Sequence, residues 1–536
     1  MNPTKWVRPA AVVILFSAAV VSMVAAQTPR IAPPPACRAV GSGSLVALAS
    51  RQVAPNNAPM VAILPLEARL SDVSQVHLPT AIAEGVSRRL APLPGVVVPT
   101  QWSTERAWAD AGGRIDRLDT LLGSRLIVTG TITSQRTGAA VSVRIFENEQ
   151  EAPKWEREFL YPQTSLRVMQ DEIANAVLRA LGSNAKLSPP GDGFADPAVY
   201  DEVAVGDYYM QQHDTWAPDS ARRAYERALA RNPRSAPVMA RLARSYAMSL
   251  ERTGRAAPFS APNALREATS LVDRALAIDS GLSAAWTARA VLDRVRDPGV
   301  YSGALRAHER AIALAPKDAD ARHEYAITLV RLGRDQAAEA QLRQALVSDR
   351  DRAPSLRLLA ELEYMAHRYE NACSLVNASI GADSFDPLAY SLRARVRMHL
   401  DEFRDAFSDA ETARRLSGAA WGETLEFYLT AVGRDFDAAR AESRRMSNLK
   451  LRPGVTLGVR EAAYLGMGWT AVGSRDKAFD ALSRARPRGA EFRMALRDPG
   501  FDKLRSDARF QRILRSEVPK TEAPAVSGGV RTPGPR

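Results

Sequence analysis

A search for chemistry starts with histidine and cysteine, because they supply metal ligands and nucleophiles, and this sequence holds six of the first and two of the second. The histidines stand at 77, 213, 308, 323, 367 and 399. None forms an HxxxH or HExxH pair or joins a cysteine at ligand spacing, so metal binding has no support. Cys37 lies in a Pro-rich stretch and Cys373 inside a helical segment. Two thiols so far apart predict neither a disulfide framework nor a metal site. No GxxxxGK[ST] loop occurs, since Gly41-Ser42-Gly43-Ser44 lacks the lysine that would follow. No GxSxG elbow presents a serine, and the carboxylate pairs are those of solvated helix faces. The sequence therefore predicts a protein that is not an enzyme and uses no cofactor.

The formal charge of +12 invites a nucleic-acid reading. It comes almost wholly from arginine, with only eight lysines, and no run of five to eight basic residues marks a nucleic-acid patch. Basic residues alternate with Asp and Glu along helix faces, which is the pattern of a salt-bridged, solvated surface. No nucleic-acid partner is expected.

The elements that would position a site are mostly helices, and small residues recur along them at an interval of 34. Ala326, Ala360 and Ala394 form one row, Ala304, Ala338, Ala372 and Ala406 a second, and Ala311, Ala345, Ser379 and Ala413 a third. Small side chains at these phases let paired helices cross closely, while Leu342, Leu359 and Val376 fill the spaces between. A late unit shows Ala462, Leu465, Gly466 and Trp469, then Ala478, Leu482 and Ala485. An early one shows Met239, Leu242, Ala243 and Tyr246, then Ala268, Val272 and Ala275. The segment 420–450 is helical but loses the register. In these rows the chain resembles the tetratricopeptide superfamily over about 300 residues. The resemblance implies an α-solenoid of seven or eight helix pairs spanning 196–516, with 496–510 as a capping segment. It also implies a concave groove that takes a protein or peptide, lined in the three regular repeats by His323, Ile327 and Val330, by Arg357, Glu361 and Tyr364, and by Ser391, Arg395 and Met398.

Ahead of the repeats, residues 58–184 read as a small mixed α/β unit, joined to them by a linker at 185–195. Met60 to Leu66 suits a buried strand, and Ile82, Val86 and Leu90 make an apolar stripe on a helix from Leu78 to Leu90. Gly95-Val96-Val97-Val98 and Leu126 to Ile132 predict two more strands, with helical segments between them near 102–122. Val141, Val143 and Ile145 alternate with Ser142 and Arg144 as in a half-exposed antiparallel strand, which Trp155 to Leu160 should pair. A closing helix opens at Gln170 and reaches Leu181. These pieces, in this order, resemble the amino-terminal domain of the TolB type, also compared with the flagellar FlgO domain. The family usually has Phe where this chain has Leu66. The resemblance implies an interaction and signalling module, not a catalyst.

Lys5 and Arg8 precede an apolar stretch, 10–26, that ends in Ala25-Ala26-Gln27. A basic flank, an apolar centre and small residues before a polar one read as an export signal cut after Ala26, or as an uncleaved anchor in the inner membrane. Either outcome places the remainder outside the cytoplasm, in the periplasm of a bacterium. Residues 27–57 read as a Pro-rich linker and 517–536 as a disordered tail. The expectation is a periplasmic or membrane-anchored scaffold that holds proteins. The alternative is the sensory subunit of a transmembrane system whose output domain is on another chain.

Overall fold

The computed structural model describes residues 59–516 apart from short internal stretches, so the export segment, the Pro-rich linker and the carboxyl tail lie outside the described residues. Among those described, no helix is long and apolar enough to cross a membrane.

The amino-terminal unit is a sheet of β1 (Met60–Ile63), β2 (Glu67–Arg69), β3 (Ser124–Gln135), β4 (Gly138–Glu147) and β5 (Trp155–Tyr161). The order is β1-β3-β4-β5; β1 and β2 run parallel to β3, and β3, β4 and β5 form an antiparallel meander. The expected strand at 95–98 is only a bridge between Val97 and Met60. Pro94 and Pro99 flank it and have no N–H to give a ladder, and Gly95 is left-handed. β2, which the sequence did not suggest, supplies pairing further along β3 instead.

Helices α1 (Leu78–Leu90) and α3 (Leu166–Leu181) cover one face of this sheet, and α2 (Ile115–Leu122) helps to cover part of the other. Helix α3 begins at the Ser165 cap and ends at Gly182, whose φ of 67° lets the amides of residues 182 and 183 close the last turn.

The apolar core of the sheet does not stop at the boundary read from sequence. It continues without interruption from Val61 through α3 to Leu292, deep in the helical array. Tyr200 donates to Gln170 Oε1 at 2.9 Å, and Asp201 accepts from the Leu166 amide at 3.1 Å. Even the segment after Gly182 is packed down: Arg89 donates to the Ser188 carbonyl at 2.7 Å, and Phe194 is buried.

Eight antiparallel helix pairs follow. They are α4 (Pro197–Gln211) with α5 (Ala217–Arg231), α6 (Ala236–Thr253) with α7 (Ala261–Ile278), α8 (Ser283–Arg296) with α9 (Ser302–Leu314), and α10 (Ala319–Arg331) with α11 (Asp335–Ser348). Then come α12 (Ala353–Met365) with α13 (Tyr369–Ala382), α14 (Pro387–His399) with α15 (Phe403–Ser417), α16 (Trp421–Val432) with α17 (Phe436–Lys450), and α18 (Val459–Ala471) with α19 (Arg475–Ser483). All three rows of small residues are fully buried. We expect Ala360→Leu, which pushes a branched side chain into one such crossing, to destabilise the chain by about 1–3 kcal/mol in a urea titration. A fourth row at the same interval escaped the sequence reading: Gly333, His367 and Asp401 all adopt positive φ in the turn inside a pair.

Two features depart from a regular array. In the seventh pair α16 packs chiefly on α18 of the next, leaving α17 with fewer neighbours, in keeping with the lost register there. Cys373 is disulfide-bonded, which corrects the expectation that the thiols form no disulfide framework. The other cysteine of the sequence, Cys37, lies outside the described residues.

The chain ends in α20 (Ala490–Ala495), a 3₁₀ turn (Pro499–Leu504) and α21 (Ala508–Ser516). Phe492, Leu496, Phe501, Leu504 and Phe510 are fully buried in one core with α18, so this segment covers the apolar end of the stack.

Candidate functional site

The first helix of each pair faces the inside of the array, and those of the fourth to sixth pairs, α10, α12 and α14, carry the residues singled out from sequence. Their inner wall is not open. The eighth pair and the terminal segment fold back onto it, so Tyr364, Ser391, Arg395 and Met398 are buried, as is His323. The expectation of an open groove at these positions is thereby corrected: the helical phase was right for an inner wall, but the wall is covered by the chain's own carboxyl end.

The contacts that close it are polar. Arg395 pairs with Asp498 of the terminal segment, and the Tyr364 hydroxyl donates to the same carboxylate at 3.0 Å. Arg395 also lies over the Tyr364 ring at 4.9 Å. The Ser391 and Tyr464 hydroxyls share a hydrogen bond of 2.6 Å. Beyond them Arg497 grips Asp335 with both terminal nitrogens, one at 3.1 Å, and Arg493 reaches the Tyr301 hydroxyl and the Arg331 carbonyl, each at 3.4 Å. Burial, followed by the charge of Asp498, pushes the Tyr364 phenol far above its ordinary range.

Four of the expected residues, Arg357, Glu361, Ser391 and Arg395, come together on a single cavity of about 100 Å³ between α12, α14, α18 and α20. Arg357 spans that wall to Asp386, the cap residue of α14, at 2.7 Å. Burial opposes the Arg357 charge, yet Asp386 and Glu361 raise its pKa above the usual guanidinium value. Tyr364 sits beside the cavity behind Arg395. His323 and Met398 stand apart. His323 bonds Ser355 Oγ at 3.0 Å and is held neutral, its pKa lowered by burial to about 3; Met398 belongs to the core of the later repeats, and Ile327 and Val330 pack with the middle repeats.

Sequence reasoning missed the partners that define this wall. Asp498 stood in the expected cap, but nothing in its spacing says that a cap will reach back across 103 residues to Arg395. His213, in the turn between α4 and α5, was likewise unassigned. Its Nε2 lies 2.6 Å from Asp383, and its Nδ1 3.9 Å from Asp386, so the first pair is tied to the turn between α13 and α14. Burial works against the imidazolium, but these two carboxylates hold the His213 pKa above its ordinary value.

Among the described residues no group of three or more His, Cys, Asp or Glu could hold a metal ion. Side-chain spacing thus leaves helix pairs, repeated small residues and a curved wall as the features to identify.

Residues 297–362 match the tetratricopeptide repeat. The match takes in α9, α10, α11 and nearly all of α12, the most regular part of the array. The fold is mainly α, a solenoid of helix pairs preceded by a small mixed α/β region, and the matched residues lie within that solenoid. No curated protein matches the sequence. Similar solved structures include PilW, a widely conserved type IV pilus biogenesis factor, at 18% identity and a TM-score of 0.33, covering 39% of this chain and 92% of that one. Pseudomonas aeruginosa pilF has 17% identity and a TM-score of 0.33, over 41% of this chain and 94% of that one. Yeast Tom70 has 13% identity and a TM-score of 0.34, over 83% and 85%.

Proposed function

We propose that this chain is a non-enzymatic, exported tetratricopeptide scaffold that holds protein partners in the periplasm or at the inner membrane. The observation that carries the scaffold reading is the continuous core from the sheet to the third helix pair. It makes the α/β unit and the array one rigid support, so partners on the two are held at a fixed separation. Export is supported by the basic and apolar amino-terminal sequence. The disulfide at Cys373 supports it too, since such bonds persist in oxidising compartments. The order of strands and helices in the α/β unit favours the TolB-like reading of that region.

With the inner wall closed, exposed aromatic groups elsewhere are open to a partner. Trp216 is 53% exposed and meets Tyr209 edge-on at 5.8 Å, and Phe385, 61% exposed, lies two residues from the Asp383 that holds His213. Exposed Trp and Tyr are the side chains that anchor protein interfaces most often. A photo-crosslinking amino acid at Trp216 or Phe385 of the full chain, activated in intact cells, is expected to give one discrete adduct with an envelope protein. Placed at buried Ser391 it is expected to give none. Adducts only from Ser391, or an alkaline phosphatase fusion after residue 516 that stays inactive for want of export, contradicts the proposal. Amino-terminal sequencing of the mature chain separates the sensory reading, which requires residues 10–26 to be retained.

A further inference from the structure

The first helix pair touches a part of the array several pairs further on. In a solenoid each pair packs against its neighbours, so small rotations at successive interfaces add up and the winding is soft. The helices of the first pair pack on each other, on α6 and on the α/β unit, and those of the fifth and sixth pairs pack on their own neighbours. A polar contact between two turns joins these distant regions. His213, between α4 and α5, places Nε2 2.6 Å from Asp383 and Nδ1 3.9 Å from Asp386, both in the turn between α13 and α14.

The carboxylates are aimed before His213 arrives. Asp386 caps α14 through the Leu388 amide at 2.9 Å and accepts from Arg357 of α12 at 2.7 Å, so the cation beside it is already committed. Asp383 accepts from the Phe385 amide at 3.0 Å through Oδ1 and turns Oδ2 to His213. The His213 and Asp383 side chains remain 28% and 27% exposed, so water and protons reach the pair. Burial opposes the imidazolium and Arg357 adds to that opposition, but Asp383 and Asp386 outweigh both and raise the His213 pKa.

A second approach along the same seam has the same sign. Glu84 of α1 accepts a hydrogen bond from Gln211 at the end of α4, and it feels the charges of Asp207 and, from the turn between α11 and α12, of Asp349. Arg88, at 3.8 Å, is its cation, and Arg352, at 3.9 Å, is that of Asp349. Burial raises the pKa of both carboxyls in spite of these arginines. A group whose pKa is higher in the closed arrangement than in the open one favours closure at low pH, and ceases to do so as the pH rises through the closed value. His213, Glu84 and Asp349 therefore act together.

We propose that this seam is a pH-operated clasp: with His213 charged it holds the first pair against the turn between α13 and α14, and with His213 neutral it lets the solenoid open there. Trp216 and Phe385 lie on the two turns that the clasp joins. Opening therefore separates the two aromatic side chains proposed above as partner contacts. That consequence rests on the scaffold reading, whereas the clasp itself does not.

The test uses the full chain, with Cys373 in its disulfide and spin labels at two exposed positions, Arg223→Cys on α5 and Ser384→Cys in the turn between α13 and α14. One short distance is expected to dominate at pH 6. A longer population is expected to grow toward pH 9, the closed-to-open ratio falling on the order of tenfold, which is the effect of one pKa unit. His213→Gln keeps a hydrogen-bonding group without the charge, and is expected to show the longer population at both pH values. His213→Lys stays charged to about pH 10, and is expected to keep the short distance at both. Circular dichroism of each variant checks its helical content. A parent distribution that is the same at pH 6 and pH 9, a His213→Gln chain as closed as the parent at pH 6, or a His213→Lys chain that opens at pH 9 as the parent does each overturns the proposal. The crosslinking experiment judges the scaffold reading without reference to these distances.

Discussion

Replacing Asp409 by alanine is expected to destabilise the array by about 3–5 kcal/mol, a large share of what a domain has to lose. Asp409, on α15, sits between two arginines of α14. Arg393 grips it with Nε at 2.9 Å and Nη2 at 2.6 Å, and Arg397 donates to it at 2.7 Å. All three are almost completely buried. The alanine variant leaves two guanidinium groups in a medium that does not solvate them, with Glu402 at 3.5 Å and the Asp405 carbonyl at 3.3 Å as partial relief for Arg397, and the Asn377 amide oxygen at 2.9 Å for Arg393. The triple change Arg393→Met, Asp409→Leu, Arg397→Met removes charge and partner together, and is expected to be close to neutral. Urea titrations followed by circular dichroism separate the two outcomes. Similar losses in the single and triple variants would mean that shape, not uncompensated charge, governs this contact.

The second large effect is a dependence on pH. His308 and His323 are both buried as neutral rings. His308 bonds the Thr328 hydroxyl at 3.0 Å and stacks on Tyr325, and its pKa is lowered by burial, and further by Arg294, to about 3. His323 is lowered to about 3 by burial and then by Arg352. In the unfolded chain each takes a proton near pH 6.5, so between 6.5 and about 3 the unfolded state binds more protons than the folded one. Stability is complete above pH 6.5 and falls as the pH drops through this window, by on the order of 4 kcal/mol for each ring. Asp320, whose pKa is held down to about 2 by Arg244 and Arg352 against the effect of burial, adds a further loss below about pH 4. His213 runs the other way, since its raised pKa favours the folded state at acid pH. Free energies of unfolding measured between pH 7 and 4 should therefore decline steeply, and His308→Asn should reduce the slope by about one proton. A flat profile would mean that water reaches these rings.

How much of this was legible beforehand follows from what each feature depends on. The helix pairs were legible because tight crossings require small residues, and requirements repeated every 34 positions leave rows such as Ala304, Ala338, Ala372 and Ala406. The meander of β3, β4 and β5 was legible from the alternation of Val141, Val143 and Ile145. The strand expected at 95–98 was not formed because its apolar run is bounded by prolines, which matter more to a hydrogen-bonded ladder than hydropathy does.

The wall residues show where the sequence runs out. Phase along a helix says that Arg357, Glu361, Ser391 and Arg395 look inward, and they do. It does not say what lies opposite, because that depends on how far the superhelix winds before its end arrives. Small rotations accumulated over eight pairs bring Asp498 onto Arg395 and His213 onto Asp383, and none of these residues carries a local mark of its partner.

Closure of the inner wall by the carboxyl end is the claim on which the site and its cavity rest. His367 in the turn of the fifth pair and Asp502 in the terminal segment approach to 3.7 Å on the surface. Spin labels on His367→Cys and Asp502→Cys in the full chain, with Cys373 kept in its disulfide, measure that approach directly. A single short distance, unchanged between low and high salt, is the expected result. A broad distribution reaching long distances would show the terminal segment standing away from the wall, and would contradict the account.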